Sequence, residues 1–354
     1  MNILWFNLAM DEDHRLGFAV KWVRAVAERV ASVHVITMRR GRATVPANVT
    51  IHSLGKEKGF SEPRRAFEFY RLLLRTLRTE RIDVCFSHMN PLFTVLAAPL
   101  LRVKGIPAVT WYAHRQLTTM VKLAHLSSDT VVSSVASSYP YKTDRLRLLG
   151  QAIDTDLFRP QAGIPDPGLV LNVGRLSPIK DLHTLVEAVQ RLKQRNIEVR
   201  CVLIGEAPEV HASYPRSLRA RISELHLDDA VHFEGLLPQK DVASWCQRCE
   251  VHVNLSPTGL FDKAALEAAA CGRPGIVSNE AFREILGDYA GQLLFRHGDA
   301  ADLACKIERL LALPIHERNA IGSFLRARVL ELHGFDRLID RLTAVLQEAT
   351  GRRA

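Results

Sequence analysis

No apolar run in this sequence is long enough to cross a bilayer as a helix. The longest, Leu92 to Leu101, is about ten residues and contains Pro99, whereas a span needs roughly twenty. No basic segment opens the chain. Met1 to Phe6 reads as a strand and soon meets Asp11-Glu12-Asp13, so a secretory leader is not expected and the predicted location is the cytoplasm. Cysteine is sparse, six in 354 residues, and scattered through apolar segments, as reduced core thiols are. The one close pair, Cys246-Gln247-Arg248-Cys249, has no second pair or His at zinc spacing, which argues against a zinc or redox motif. The glycine-rich G-x-G-x-x-G signature is missing from the first loop, where Gly17 stands alone, and this disfavours a dinucleotide oxidoreductase. Zinc-finger spacing, basic heptads and basic-aromatic RNA-binding patterns are missing too, so nucleic acid is not an expected partner.

What is present is an ordinary globular composition, 47% hydrophobic and 24% charged, in a chain long enough for two domains. The net charge of +9 is unevenly placed. Residues 1 to 160 hold 23 Lys and Arg against 13 Asp and Glu, or +10, while residues 161 to 354 hold 24 against 25, or −1. An anionic partner is therefore expected on the amino-terminal half. Residues 63–81 set Arg64, Arg65, Arg71, Arg75, Arg78 and Arg81 among Phe67, Phe69, Tyr70 and a run of leucines. That is a basic amphipathic helix. Two readings stay open: a sheet-covering helix with a charged outer face, or a helix on anionic lipid at the inner membrane face.

Along the chain, short apolar runs alternate with helical periodicity. Strands are predicted at Ile3 to Phe6, Val33 to Thr37, Asp83 to Ser87, Ala108 to Tyr112 and Ser128 to Ser134, with helices between. Pro160, Gly163, Pro165, Pro167 and Gly168 then crowd together as a linker would. The pattern resumes with strands near Leu169, Val199, Val231 and Val251. The expected fold class is α/β: a Rossmann-like amino-terminal domain over 1–160 and a second over 161–334, both doubly wound and facing across a cleft. The last helix, about 335–354, is expected to return to the first domain. Asp11-Glu12-Asp13 resembles a metal-binding DxD, but so near the first strand it reads as a solvated acidic loop, and no metal site is expected.

Gly174-Arg175-Leu176-Ser177-Pro178-Ile179-Lys180 follows the apolar run Leu169 to Val173 and precedes a helix. A loop at the carboxyl end of a parallel strand faces the ligand crevice of such a sheet. Gly174 allows close backbone approach, and Arg175 and Lys180 place two cations beside a helix N-terminus. That chemistry suits a phosphate or diphosphate. Downstream, the small-residue helix Ala264 to Ala270 carries Glu267 and stops at Cys271-Gly272-Arg273-Pro274. His114, at the end of a strand, is placed either to touch a substrate or to serve as an ordinary polar cap.

With these motifs in order, the chain resembles the retaining glycosyltransferases of family 4, which have the GT-B fold. The matching residues are Val173-Gly174-Arg175-Leu176 with Lys180, the Val231-x-Phe233-x-Gly235 strand and Asn254-Leu255-Ser256. Leu266-Glu267-Ala268-x-Ala270-Cys271-Gly272-x-Pro274 and the upstream Ile153-Asp154-x-Asp156-x-Phe158-x-Pro160 complete the set. The resemblance implies transfer of a hexosyl unit from a UDP- or GDP-linked sugar to a glycan or lipid-linked acceptor, with no cofactor or metal. Arg175 and Lys180 would hold the diphosphate, Glu267 the ribose hydroxyls and the backbone at Leu237 the base, while Gly17 would approach the phosphate and His114 would face the transferred sugar. The family's usual second Glu, eight residues before Glu267, is here Gly259, with Asp262 and Lys263 as partial substitutes. That departure keeps two alternatives open: a catalytically lapsed nucleotide-sugar binding protein, or a GT-B enzyme of another reaction such as a sugar-nucleotide epimerase.

Overall fold

A computed structural model describes residues 1–14, 16–163 and 165–351. The chain divides into two compact units, Met1–Gly150 with the segment from Asp336 onward, and Gln151–Phe335.

The first unit is built on a parallel seven-stranded sheet. Its strands are β1 (Asn2–Met10), β2 (Ser32–Arg40), β3 (Val49–Ser53), β4 (Val84–His88), β5 (Ala108–Trp111), β6 (Thr130–Ser133) and β7 (Leu146–Leu148). The order is β3-β2-β1-β4-β5-β6-β7. Strands β1 and β4 read as continuous apolar runs because helices cover both faces of the sheet, so successive side chains such as Leu4, Trp5 and Phe6 are all buried. Helices α1 (Phe18–Ala27), α2 (Glu62–Thr79), α3 (Pro91–Val103) and α4 (Thr119–Ser127) make the crossovers.

Helix α2 is the predicted basic amphipathic segment. Its buried residues, Phe69, Leu72, Leu73, Thr76 and Leu77, recur at the three- and four-residue steps of one helical stripe. Phe69 stacks on Phe93 with ring centroids 5.4 Å apart and lies 5.5 Å from Phe6. The helix therefore covers the sheet, and its arginines lie outside that stripe. Strands β3 and β7 and helix α4 do not stand out in the sequence. The two strands are edge strands of three to five residues, too short for a period to show.

The second unit holds a parallel five-stranded sheet in the order β10-β9-β8-β11-β12. Its strands are β8 (Leu169–Val173), β9 (Arg200–Ile204), β10 (Val231–Gly235), β11 (Val251–Asn254) and β12 (Gly275–Val277). Helices α5 (Leu182–Gln194), α6 (Tyr214–Glu224), α7 (Gln239–Arg248) and α8 (Lys263–Ala270) follow β8, β9, β10 and β11 in turn. Further helices span Ala300–Ala312 and Ile315–His333, and Phe335–Gly351 returns the chain to the first unit. The helix Ile315–His333 closes on α8. A Cβ on Gly322 would fall 1.9 Å from the Gly272 carbonyl, and Arg326 donates to the carbonyl of Ala270 at the end of α8.

In each sheet the winding reverses once, between β1 and β4 and between β8 and β11. At such a switch point the loops leave neighbouring strand ends in opposite directions and open a crevice.

Candidate active site

The switch point of the second sheet gathers most of the residues singled out in the sequence. The Asn172 amide donates to the Val253 carbonyl at 2.8 Å, tying β8 to β11. Beyond the strand ends the backbones run close together. Gly174 N–H donates to the Ile204 carbonyl at 2.9 Å, and Gly205 N–H donates to the Gly235 carbonyl at 2.8 Å. Gly205, at φ +135°, has no room for a side chain, because its Cβ would lie 2.0 Å from the Gly174 carbonyl oxygen.

The loop after β8 is anchored by Leu176, which is buried and whose N–H donates to the Glu206 carbonyl at 3.0 Å. Arg175, one residue earlier, is exposed and forms no hydrogen bond or ion pair to a described residue. Ser177 is buried, and its hydroxyl finds no partner among the described residues. A single 3-10 turn, Pro178–Lys180, leads to Asp181 in the left-handed region at φ +47°. The Thr184 hydroxyl donates to the Asp181 carboxylate at 2.7 Å as α5 begins.

Lys180 is already engaged. Its ammonium donates to the Ser256 hydroxyl at 2.9 Å and pairs with Asp262. Asp262 also accepts from the Asn254 amide at 2.9 Å and from the Ser256 hydroxyl. Burial alone would raise the pKa of Asp262, but Lys180 and the hydrogen bonds outweigh it and hold the carboxyl below its ordinary value. The ionised carboxylate thus draws a lysine from the loop after β8 and an asparagine and a serine from the end of β11 around one point.

Glu267 lies on α8 with part of its side chain exposed. Burial pushes its carboxyl up to about 7, against the opposing pull of Lys263 one turn earlier, and Asp262 pushes it further up. Lys263, the first residue of α8, is exposed. Gly259 is buried at φ +104°, a backbone state in which an L-residue would be strained. The loop around it is held by the Asn279 amide on the Leu260 carbonyl and the Gln151 amide on the Phe261 carbonyl, both at 2.9 Å. Leu237 is half-buried in the turn between β10 and α7.

The remaining two candidates belong to the first unit. His114 is exposed beyond β5 and accepts from the Gln116 N–H at 3.0 Å through Nδ1. Gly17 opens α1, and a Cβ there would lie 2.7 Å from the Glu12 carbonyl oxygen, so its own loop demands a glycine. The acidic triplet is less solvated than its sequence implied. Asp11 is buried with Arg39 at 3.8 Å, Arg24 pairs with Glu12, and Arg42 reaches Asp13 at 2.6 Å. Those arginines come from other elements, so the triplet alone could not reveal them. Among the described residues no group of three or more His, Cys, Asp and Glu side chains is arranged to hold a metal ion.

Two features of the site escaped the sequence reading. Asn254 and Ser256 stood in a recognised motif without a role, and they prove to be partners of Asp262. His252, two residues before Asn254 on β11, is wholly buried with neither ring nitrogen partnered among the described residues. Burial pushes its pKa down to about 4, against a weaker opposite pull from Asp262, so the ring is neutral near pH 7.

Residues 167–313 match the family of glycosyl transferases group 1. The chain is 28% identical over 268 residues to the D-inositol 3-phosphate glycosyltransferase of Thermomonospora curvata, covering 70% of this chain and 60% of that protein. It is 29% identical over 357 residues to the protein of the same name from Stackebrandtia nassauensis, covering 86% and 81%. The solved structure of Anabaena Alr3699/HepE in complex with UDP superposes with a TM-score of 0.76 at 16% identity, over 98% of this chain and 100% of that one. These likenesses give the GT-B fold to the whole chain.

Proposed function

We propose that the protein is a retaining hexosyltransferase, a reading supported by the match of residues 167–313 to the glycosyl transferases group 1. Its donor is a UDP- or GDP-linked sugar, and its acceptor is a hydroxyl on a glycan or lipid-linked intermediate. One observation carries the reading: Arg175 and the buried Ser177 hydroxyl, neither with a side-chain partner among the described residues, lie on the loop that leaves β8 at the switch point of the sheet. A diphosphate supplies what both groups lack, negative charge and hydrogen-bond acceptors.

Arg175 then neutralises charge as it develops on the leaving nucleotide, the stage at which stabilisation accelerates the reaction. Lys180, held by Asp262, contributes a second, fixed cation to the same crevice. Glu267 accepts from the ribose hydroxyls. The backbone near Gly174 and Leu237 receives the diphosphate and the base. Gly259, Asp262 and Lys263 form the side of the site where the donor sugar binds. Asp262 replaces the carboxylate missing at 259, because the left-handed backbone there disfavours a glutamate. His114 and Gly17 keep the roles that the resemblance gives them, sugar contact and phosphate approach. The departing phosphate oxygen can take the acceptor proton on the same face, so the step needs neither a protein base nor a metal. The basic first unit receives the acceptor, and the protein works in the cytoplasm at the inner membrane face.

Transfer assays with purified protein, UDP- and GDP-sugars and a panel of hydroxyl acceptors test this. The expected product keeps the anomeric configuration of the donor. Tight nucleotide binding without turnover on any acceptor would instead identify a binding protein that has lost catalysis. A donor converted to an isomeric nucleotide sugar would identify an epimerase.

A further inference from the structure

From Val84 to Ser128 the chain contains no Asp or Glu, yet it carries Arg102, Lys104, Arg115 and Lys122. This stretch folds into β4, α3, β5 and α4 of the first unit. Helix α4 turns Val121 and Ala124 inward and leaves an apolar outer arc: Met120, Leu123 and Leu126 are 37%, 38% and 60% exposed. Lys122 is exposed on the same helix, and Leu117, just before it, is exposed as well. The patch continues onto α3. The Arg102 guanidinium donates to the Leu126 carbonyl at 3.2 Å, which ties the two helix ends together. Next to Arg102 stands Val103, 86% exposed.

Exposed leucines clustered on one helix face need a cover, and the charge around them selects it. The segments that form the patch carry the exposed Arg102, Lys104 and Lys122 and no carboxylate of their own, which suits a negatively charged bilayer into which the leucines and the methionine can insert. We infer that the outer face of α4, with the adjoining end of α3, is the surface by which this protein docks on anionic lipid. This rests on the inner-membrane part of the proposed function and moves the contact away from α2. The buried stripe of α2 is used by the sheet, and its outer face offers only Phe67 and Tyr70 as exposed large apolar side chains. Tyr70 is moreover bonded through its hydroxyl to the Leu96 carbonyl.

Flotation with phosphatidylcholine vesicles, with and without phosphatidylglycerol, tests the assignment on the full-length protein without donor. The expected result is binding that requires phosphatidylglycerol and weakens as salt is raised. Leu123→Ser combined with Leu126→Ser should reduce it about tenfold or more, and Lys122→Glu should also weaken it. Phe67→Ser on α2 should bind as the parent does. Thermal unfolding of each variant, followed alongside flotation, separates loss of docking from loss of fold, since Leu123 is only 38% exposed. Undiminished binding of the α4 double variant, or loss in Phe67→Ser instead, would overturn the α4 surface and leave the inner-membrane reading standing. Failure of the parent to float with either vesicle would overturn both. A concentration-dependent dimer that the α4 double variant dissolves would assign the face to a second copy and likewise overturn the proposal.

Discussion

Arg175 and Glu267 carry the sharpest consequences at the scale of single residues. Arg175 is exposed and makes no ion pair or hydrogen bond to a described residue, so Arg175→Ala should leave the fold intact. Its kcat for sugar transfer should fall about 100-fold or more, as expected when a group that stabilises developing charge is removed. Near-parental turnover would deny Arg175 that role. Glu267 titrates near 7, above its ordinary value of 4.5. Between those two values the folded protein binds more protons than the unfolded chain, so stability should fall as pH rises from about 4.5 to about 7. Glu267→Gln should flatten that slope, which thermal unfolding followed against pH will show. Ionisation through pH 7 should also strengthen the carboxylate's hold on ribose hydroxyls. At this scale the sequence disclosed residue types better than partners. Local patterns single out Arg175, Lys180 and Glu267 as candidates, but the Lys180–Asp262 pair joins residues 82 positions apart. No local spacing announces such a pair. The arginines that neutralise Asp11, Glu12 and Asp13 were hidden for the same reason.

Elements place those residues, and the glycines at strand ends are the least replaceable parts of the arrangement. Gly174, Gly205 and Gly235 end or follow β8, β9 and β10, and their backbones bond across the crevice floor. Gly205→Ala would drive a Cβ to within 2.0 Å of the Gly174 carbonyl from a backbone at φ +135°. It should destabilise the protein by about 3 kcal/mol, by analogy with other residues forced into such backbone states. It should also weaken donor binding, because the β8 loop must shift to make room. Urea unfolding with a binding measurement on the same variant checks both, and an unperturbed variant would show that the close approach is not required. The helical period of α2 was readable from the chain, and the apolar run Ile3 to Phe6 marked part of β1, which extends over Asn2–Met10. The short edge strands β3 and β7 were not, since their pairing comes from neighbours and not from their own residues.

Across the whole molecule, two parallel sheets that each reverse their winding once account for where the chemistry sits. Alternating strand and helix signals made both sheets legible, and the GT-B likeness extends over nearly the entire chain. The excess of positive charge lies on residues 1 to 160, whereas residues 161 to 354 are close to neutral overall. On the proposed reading, that division separates what would draw the protein to an anionic acceptor from most of what would bind the nucleotide. Salt should therefore weaken acceptor engagement far more than donor binding. Whether the loop after β8 holds a nucleotide diphosphate is tested most directly by a thermal-shift panel of UDP-, GDP- and ADP-sugars on the parent protein and Arg175→Ala. A ligand that binds only the folded state raises its melting temperature by mass action. The expected result is a shift with UDP- or GDP-sugars in the parent that Arg175→Ala loses. A shift of equal size in both proteins, or none with any of the three, would contradict it.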